Sequence, residues 1–499
     1  MMENLLNGLT YVLGWEPLLI ITIGIVVGIL VGAMPGLSPS MGVALLVPFT
    51  YGMSPTLALV LLVSIYLAAS YGGSITAITI NTPGTASAVV TGFDGYPLTQ
   101  QGKPEVALGV SLVVSAVAGI LGTIILIVCS VPLAAIAFRF HPAEYFALAL
   151  FGLATVASLA GKLWAKAFLA AMFGLLLNTV GTDPISGSAR FTFGVTPLSD
   201  GFALIPALIG LFALSEVFTS LEKREFSTKV LDKMGQAWPK LKDYLKLKWI
   251  TLWASLVGTV VGIFPGAGAT IAAFIAYDFA KRTSKRPDEF GKGSVEGIAA
   301  AEAANSASVG GAMVPLLTLG IPGSATTAVL IGAMMIHKLT PGPQLFISKP
   351  NVIYGLFAAL LVGNFVLLAI GFLGAKLWVR VTAVPKPVLY TLILAMGVMG
   401  SYAVRNSMFD VVCCVAFGLM GWVFKRYNYP LAPVILGMVL GSIAETNFRR
   451  AIMMDGSMIF FTRPVSAIML GLALLSFALP LYAAWKENKE KLSGPSAQA

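Results

Sequence analysis

The chain is poor in charge. Of its 499 residues only 11% are Asp, Glu, Lys or Arg, against about 25% in a soluble domain. That excludes a water-soluble globule. Cysteine is scarce as well: Cys129, Cys413 and Cys414 lie in apolar segments without CxxC spacing. They read as packing residues, not as a disulfide framework or a thiol metal site. The histidines, His141 and His337, have no partner at metal-ligand spacing, so no metal site is expected. The sequences GxxxxGK(S/T), GxSxG and HExxH are all missing. A Walker ATPase, a serine hydrolase of the elbow type and a zincin are thereby excluded. The start, MMENLLNGLTYVLGWEP, holds no Lys or Arg. A cleaved signal peptide needs a basic n-region, so the first helix is read as retained.

What fills the space is hydrocarbon. Hydrophobic residues make up 57% and the mean hydropathy is +0.87. Runs such as Leu18–Met34, Leu57–Ile80, Ala107–Val131, Phe202–Phe218, Val352–Leu373 and Val465–Trp485 approach or exceed the roughly 20 residues that span a bilayer. The alternation of a membrane barrel is missing. The fold class is an all-α polytopic membrane protein, with about 10–14 membrane segments because hairpins and broken helices blur the count. The net charge of +10 is assigned to cytoplasmic loops, not to a nucleic-acid partner.

The chain contains itself twice. MPGLSPSMGVALLVPF, from Met34, is matched by FPGAGATIAAFIAYDF, from Phe264. YGGSITAITINTPGTASAVV is matched by VGGAMVPLLTLGIPGSATTAV. Pro35 pairs with Pro265 at an offset of 230, and Pro83 with Pro322 at 239. The difference fits an insertion at KRTSKRPDEFGK, residues 281–292. Residues 144–176 likewise resemble 388–420. The expected organisation is a first repeat over 1–220, a charged linker over 221–248, a second repeat over 249–485 and a polar tail over 486–499.

Charge sets the orientation. Residues 219–248 hold eight basic and four acidic side chains, and 281–292 hold five basic and two acidic. Both are placed in the cytoplasm, so 249–280 enters and returns as a helical hairpin turning at Pro265-Gly266. The equivalent ends in the first half, 1–16 and 50–56, hold no Lys or Arg and should face the other side. Opposite bias on the same pattern indicates inverted-topology repeats.

Each half also breaks its helices at the same places. Bare backbone cannot face lipid. Paired Gly/Pro interruptions at depth therefore point to a site where half-helix N-termini meet an anion and unwound carbonyls meet Na⁺. The first break offers Asn81, Thr82, Pro83, Gly84, Thr85 and Ser87. The second offers Pro322, Gly323, Ser324 and Thr326. The first hairpin tip adds Ser38 and Ser40. These residues are the expected substrate site, with neutral donors suited to a carboxylate that must be released. Gly36, Gly266, Gly268, Glu302, Asn305 and Ser306 are the expected cation-coupling set. Kinks that only pack helices together are the plain alternative.

Ionisable groups inside spans merit a functional reading. Glu302, in IAAAEAANSASVGG, lies about two turns before Gly310 and is expected to carry a proton or Na⁺, or else to pair with a Lys. Asp94 is placed near an interface. Glu144, Asp278, Glu296 and Glu445 sit near predicted helix ends and are read as solvated or snorkelling. Lys162, Lys166, Arg405 and Asp410 are read as marking short wet loops. No clustered carboxylate or His constellation suggests an enzyme.

The quoted runs, with GIFPGAGATIAAFIAYDFAKR and EGIAAAEAANSASVGGAMVPLLTLGIPGSATTAVLIGAMMIHKLTPGPQLF, resemble the large membrane subunit of the tripartite tricarboxylate transporter family. The resemblance runs essentially end to end. It implies a multi-pass permease of the bacterial inner membrane with two partners, a small four-helix membrane subunit and a periplasmic solute-binding protein. It implies uptake of tri- or dicarboxylates such as citrate, driven by a cation gradient, with Na⁺ favoured over H⁺ and no other cofactor. A more distant similarity to TRAP-type dicarboxylate carriers implies an elevator mechanism. The alternative is a passive channel or exporter for small organic molecules.

Overall fold

The computed structural model describes residues 2–34, 36–160, 163–223, 239–265, 268–381 and 386–493. Pro35, Lys162, Gly266, most of the linker and the last residues of the tail lie outside them. In the first half the helices are α1 (Met2–Val12), α2 (Trp15–Gly32), α3 (Pro39–Leu46), α4 (Pro55–Ile80), α5 (Ala88–Gln100), α6 (Pro104–Ala137), α7 (Pro142–Leu159) and α8 (Trp164–Asn178). Two-residue strands β1 (Gly181–Thr182) and β2 (Ala189–Arg190) pair antiparallel. α9 (Leu204–Leu208) then runs through a π turn at Ile209–Leu214 into α10 (Ser215–Lys223). The second half holds α11 (Leu241–Lys246), α12 (Lys248–Ile263), α13 (Gly268–Thr283), α14 (Val295–Leu319), α15 (Ala325–Ile336), α16 (Leu345–Ser348) and α17 (Pro350–Leu373). It continues with α18 (Ala375–Val381), α19 (Lys386–Arg405), α20 (Met408–Arg426), α21 (Ala432–Asp455), α22 (Ile459–Thr462) and α23 (Pro464–Ser493).

Eight helices among the described residues are long and apolar enough to cross a membrane, and five more apolar helices are shorter, at 10–17 residues. Three of the short ones, α3 with its following turn, α12 and α15, flank the interruptions that the sequence marks. Large apolar side chains such as Ile124, Leu176, Leu373 and Leu474 are exposed. Exposed apolar surface on this scale is unfavourable in water and natural in lipid. The protein is an all-α polytopic membrane protein.

The chain folds as two compact units, residues 1–138 with 203–423, and residues 139–202 with 424–499. In the first unit α2 crosses α4 on glycine. A Cβ on Gly28 would lie 2.7 Å from the Ile65 carbonyl oxygen, and one on Gly72 2.7 Å from that of Ile29. A Cβ on Gly32 would overlap the Ala69 carbonyl. α12 crosses α14 by the same contacts: Gly258 on Ala304, Gly262 on Ser308 and Gly311 on Thr259. Every member of the second set is a member of the first displaced by 230 residues in the shorter helix and 239 in the longer. These are the offsets of the paired prolines.

The long helices also begin and end alike. Ser54 caps α4 by accepting from Leu57 N, and Ser294 caps α14 by accepting from Gly297 N. Asn81 and Gly320 end them in the left-handed region, at φ 53° and 72°, the usual helix stop. Elsewhere in this unit the α9–α10 helix packs on α19 and α20, with Gly210 against the Cys414 carbonyl.

The second unit packs α21 on α7 and α8, with Gly437 against the Ala171 carbonyl and Gly174 against that of Val434. In each unit a helix pair from one half thus receives the helix that follows the equivalent pair of the other half. Two acids read from sequence as solvated are held by arginine. Glu144 is buried, accepts from His141 N at 2.9 Å and pairs with Arg463. Glu445 takes Arg190 at 2.5 Å and Arg449 at 2.9 Å. Asp183 completes this quartet with Arg449 at 2.7 Å. Burial explains the pairing of Glu144, since an unpaired charge there is costly; Glu445 is half-buried. In the first unit Arg405 and Asp410, read as a wet loop, close as an ion pair at 2.5 Å with Asp410 buried.

The amides of Ser186 and Ile185, then Arg449, hold the Asp183 carboxyl well below the usual carboxylate range. A lowered carboxyl stabilises the fold above its unfolded value of about 3.9 and loses that contribution as pH falls through the folded value. The 181–190 hairpin should therefore keep its amide protection through mildly acidic pH. Asp183→Asn should speed hydrogen exchange at Ile185 and Ser186 already at neutral pH. Gly32→Val and Gly262→Val should each cost at least about 1–3 kcal/mol by overpacking, with similar falls in melting temperature; a fall at one site alone would break the equivalence of the two crossings.

Candidate functional site

At the first break the chain leaves α4 through Asn81 and Thr82, both exposed, and Pro83, half-buried. Gly84 then dives against the protein: its N–H donates to the Gly73 carbonyl at 3.1 Å, and a Cβ there would lie 2.9 Å from Gly73 Cα and overlap the Gly32 carbonyl. The second break repeats this. A Cβ on Gly323 would lie 2.8 Å from Ala312 Cα and 2.9 Å from the Gly262 oxygen. Glycine is required at both places by close backbone approach.

The hydroxyls at the breaks cap the helices that follow. Thr85 Oγ1 accepts from Ala88 N at 3.3 Å and lies 3.2 Å from Ser87 Oγ. Ser324 Oγ accepts from Thr327 N at 3.2 Å, while Thr327 Oγ1 accepts from Ser324 N at 2.8 Å. This is a reciprocal capping box built from hydroxyls. Pro322 and Thr326 are buried beside it. At the first hairpin tip Ser38 caps α3 and meets Ser40 at 2.8 Å. Gly36 and Gly268 take positive φ, at 92° and 62°; Gly266 lies outside the described residues.

The two halves meet through the helices after the breaks. α5 packs on α13 and α14, and α15 packs on α3 and α4. Tyr66 OH on α4 lies 3.2 Å from Ser324 Oγ, which joins the second break to the first half. Thr50 Oγ1 meets His337 Nε2 at 2.9 Å. Among the described residues no hydrogen bond joins the hydroxyls of the two breaks to each other or to Ser38 and Ser40.

Glu302, in the uninterrupted helix α14, is fully buried. Ser74 of α4 and Thr91 of α5 donate to its Oε1, and Ser115 of α6 donates to Oε2 at 2.8 Å. Ser111, one turn before Ser115, faces the same carboxylate without completing a hydrogen bond. Asn305, one turn on from Glu302, donates through Nδ2 to the Ser70 carbonyl at 3.1 Å and leaves Oδ1 without a partner. Ser306 is buried next to it. Glu302 and Asn305 are thus close along one helix face, while Gly36 and Gly268 belong to the hairpin turns.

Asp94, placed near an interface from sequence, is enclosed by protein. It is fully buried. Its Oδ1 accepts from the amides of Gly291, Gly293 and Ser294 at 2.7, 2.9 and 2.8 Å, and Oδ2 from Tyr277 OH at 2.8 Å. A carboxylate from the first half thereby fills the anion-favouring start of α14. Thr91 and Asp94, three residues apart on α5, dock that helix on α14 at two levels.

Sequence reasoning missed the cage around Glu302, although Ser111 and Ser115 stand at i, i+4 spacing on one face of an apolar helix. It also passed over Glu216, just after the π turn. A Cβ on Gly36 would lie 2.8 Å from Glu216 Oε1, so this carboxylate stands at the first hairpin tip.

A family model described as the tripartite tricarboxylate transporter TctA family matches residues 18–436. The chain belongs to that family. It is similar to two Agrobacterium vitis proteins. One, an uncharacterized 52.8 kDa protein of the TAR-I ttuC′ 3′ region, is 34% identical over 91% of both chains. The other, from the TAR-II ttuC′ 3′ region, is 35% identical over 47% of this chain and 98% of its own length. No solved structure matches. The TctA family is a transporter family, so this multi-pass protein is a membrane component of a tripartite transporter and works with further components.

For this TctA-family protein the buried carboxylate of Asp94 makes a direct prediction. Asp94→Ala strands three amides and a phenol, at about 1–3 kcal/mol for each buried donor, and should lower the melting temperature sharply. Asp94→Asn keeps one accepting oxygen and should recover part of the loss in the same thermal-unfolding assay.

Proposed function

We propose that this chain is the permease for a citrate-like tri- or dicarboxylate in the bacterial inner membrane. A periplasmic binding protein delivers the substrate, a small four-helix membrane subunit accompanies the permease, and a cation gradient, Na⁺ above all, drives uptake. The observation that carries this reading is the paired break. Two interruptions at offset 239, each seated by a glycine on equivalent backbone positions, lead into half-helix starts lined with hydroxyls. Such starts favour an anion through backbone N–H groups and helix dipoles. Carbonyls released at Asn81–Gly84 and Gly320–Gly323 suit Na⁺.

The expected substrate ligands are Ser38, Ser40, Asn81, Thr82, Thr85, Ser87, Ser324 and Thr326, with Pro83, Gly84, Pro322 and Gly323 shaping the breaks. Asn81 and Thr82 are exposed and offer first contact. In the inverted-repeat reading the two halves alternate in facing each side of the membrane. All four interrupted segments fall in the larger compact unit, which supports their moving together, as in an elevator.

The test is uptake of labelled citrate into proteoliposomes holding this chain, the small subunit and the binding protein, with and without an inward Na⁺ gradient. Saturable uptake that needs Na⁺ is expected. Thr85→Ala and Ser324→Ala should each weaken substrate or Na⁺ affinity about tenfold, about 1.4 kcal/mol. Unchanged affinities in both variants would remove the breaks from the site, and unsaturable flux would make the protein a channel.

A further inference from the structure

We propose that Glu302 is a proton-binding site, separate from any cation held by carbonyls at the breaks. Its role in coupling rests on the transport reading above; the binding of the proton does not. The helices packed against α14 are α4, α5, α6, α12, α13 and α15. Their only basic residues are Lys248, Lys281 and Arg282, all exposed at helix ends. The buried or half-buried titratable groups they bring are Tyr66 and Tyr71 on α4, Asp94 and Tyr96 on α5, Glu105 and Cys129 on α6 and Tyr277 on α13. None is cationic. An isolated carboxylate in such surroundings is costly to keep charged.

The cage fits both protonation states. Ser74, Thr91 and Ser115 are hydroxyls, and each can donate or accept. With Glu302 ionised, all three donate to it. With Glu302 protonated, one hydroxyl turns to accept the carboxyl proton. The others can fall back on the carbonyl one turn earlier in their own helices. An arginine or lysine cage would hold only the ionised state.

A metal cation fits the cage poorly. Ser115 lies within direct hydrogen-bond distance, at 2.8 Å, and Ser74 and Thr91 are closer. An ion would have to displace these donors from the carboxylate. All four residues lie inside continuous helices, so their own carbonyls are engaged in helix hydrogen bonds. The proton needs only one oxygen to receive it. Two further buried oxygens without partners, Ser111 Oγ and Asn305 Oδ1, stand one turn from the cage as spare acceptors. The step is simple: a hydronium ion of the aqueous phase breaks one O–H bond and leaves as water, and the carboxylate forms one O–H bond. Glu302 comes from the second half and its cage from three helices of the first, so parting this seam would expose the carboxyl to exchange.

Infrared difference spectroscopy of the full chain in lipid nanodiscs tests the proposal without a transport assay. Wild-type protein should show a protonated-carboxyl band that shifts in heavy water, disappears in alkaline buffer and ignores exchange of Na⁺ for choline. Glu302→Gln should lose that band, and Glu105→Gln should keep it. Absence of the band, its survival in Glu302→Gln, or its loss on adding Na⁺ would overturn the assignment. Should Glu302→Gln fail to fold, Ser115→Ala removes one partner and should shift the band without abolishing it; an unmoved band would again overturn it. A Glu302 band in a protein that moves no carboxylate under any gradient would dismiss the transport reading and leave the proton site standing.

Discussion

Backbone meets backbone at the centre of this protein. At Gly28, Gly32 and Gly72, and again at Gly258, Gly262 and Gly311, a helix approaches its neighbour with no side chain between them. Lipid gives helices no hydrophobic reason to associate, so close packing must hold them together. That closeness lets the two breaks exist. Gly84 and Gly323 can press into the same crossings only because a bare helix backbone is there to receive them. Around Gly84 and Gly323 the interruptions are backed by protein, as irregular backbone kept from lipid requires.

Much of this was legible in the sequence. Apolar runs announced the helices, and the offsets 230 and 239, read from two pairs of prolines, recur atom by atom in the helix crossings. Glycine and proline are legible because they act through the backbone, which each residue carries alone. The polar partners were harder. Ser74, Thr91 and Ser115 come from three helices to one carboxylate on a fourth, and no local pattern joins them. Asp94 and Glu144 were placed near water because acids usually are; the donors that bury them lie 183–200 and 319 positions away in the chain, His141 apart. Spans were also harder to count than to find, because half-length helices at the breaks fall below the length that crosses a bilayer.

Three of the buried carboxylates, Glu144, Asp94 and Glu302, are satisfied in different ways. Arginine holds Glu144, three backbone amides and one tyrosine hydroxyl hold Asp94, and hydroxyls alone hold Glu302. Arginine always carries charge and amides only donate, so the first two arrangements favour one ionisation state. Hydroxyls work in both directions. Of the three, Glu302 alone is held by side-chain hydroxyls only.

The π turn at Ile209–Leu214 bears on the first hairpin tip. Such a turn is a local bulge in an otherwise α-helical segment. Each residue of an α-helix advances the direction of its side chain by about 100°. Glu216 is the second residue after the turn, so its aim at Gly36 depends on a register that ordinary helix geometry would not supply. The sequence Ile-Gly-Leu-Phe-Ala-Leu therefore acts as a phase shifter. Drawing it back to regular α-helix, by loss of one residue, would swing the acid away from the tip while leaving the apolar span nearly as long. Composition and length would barely register the change.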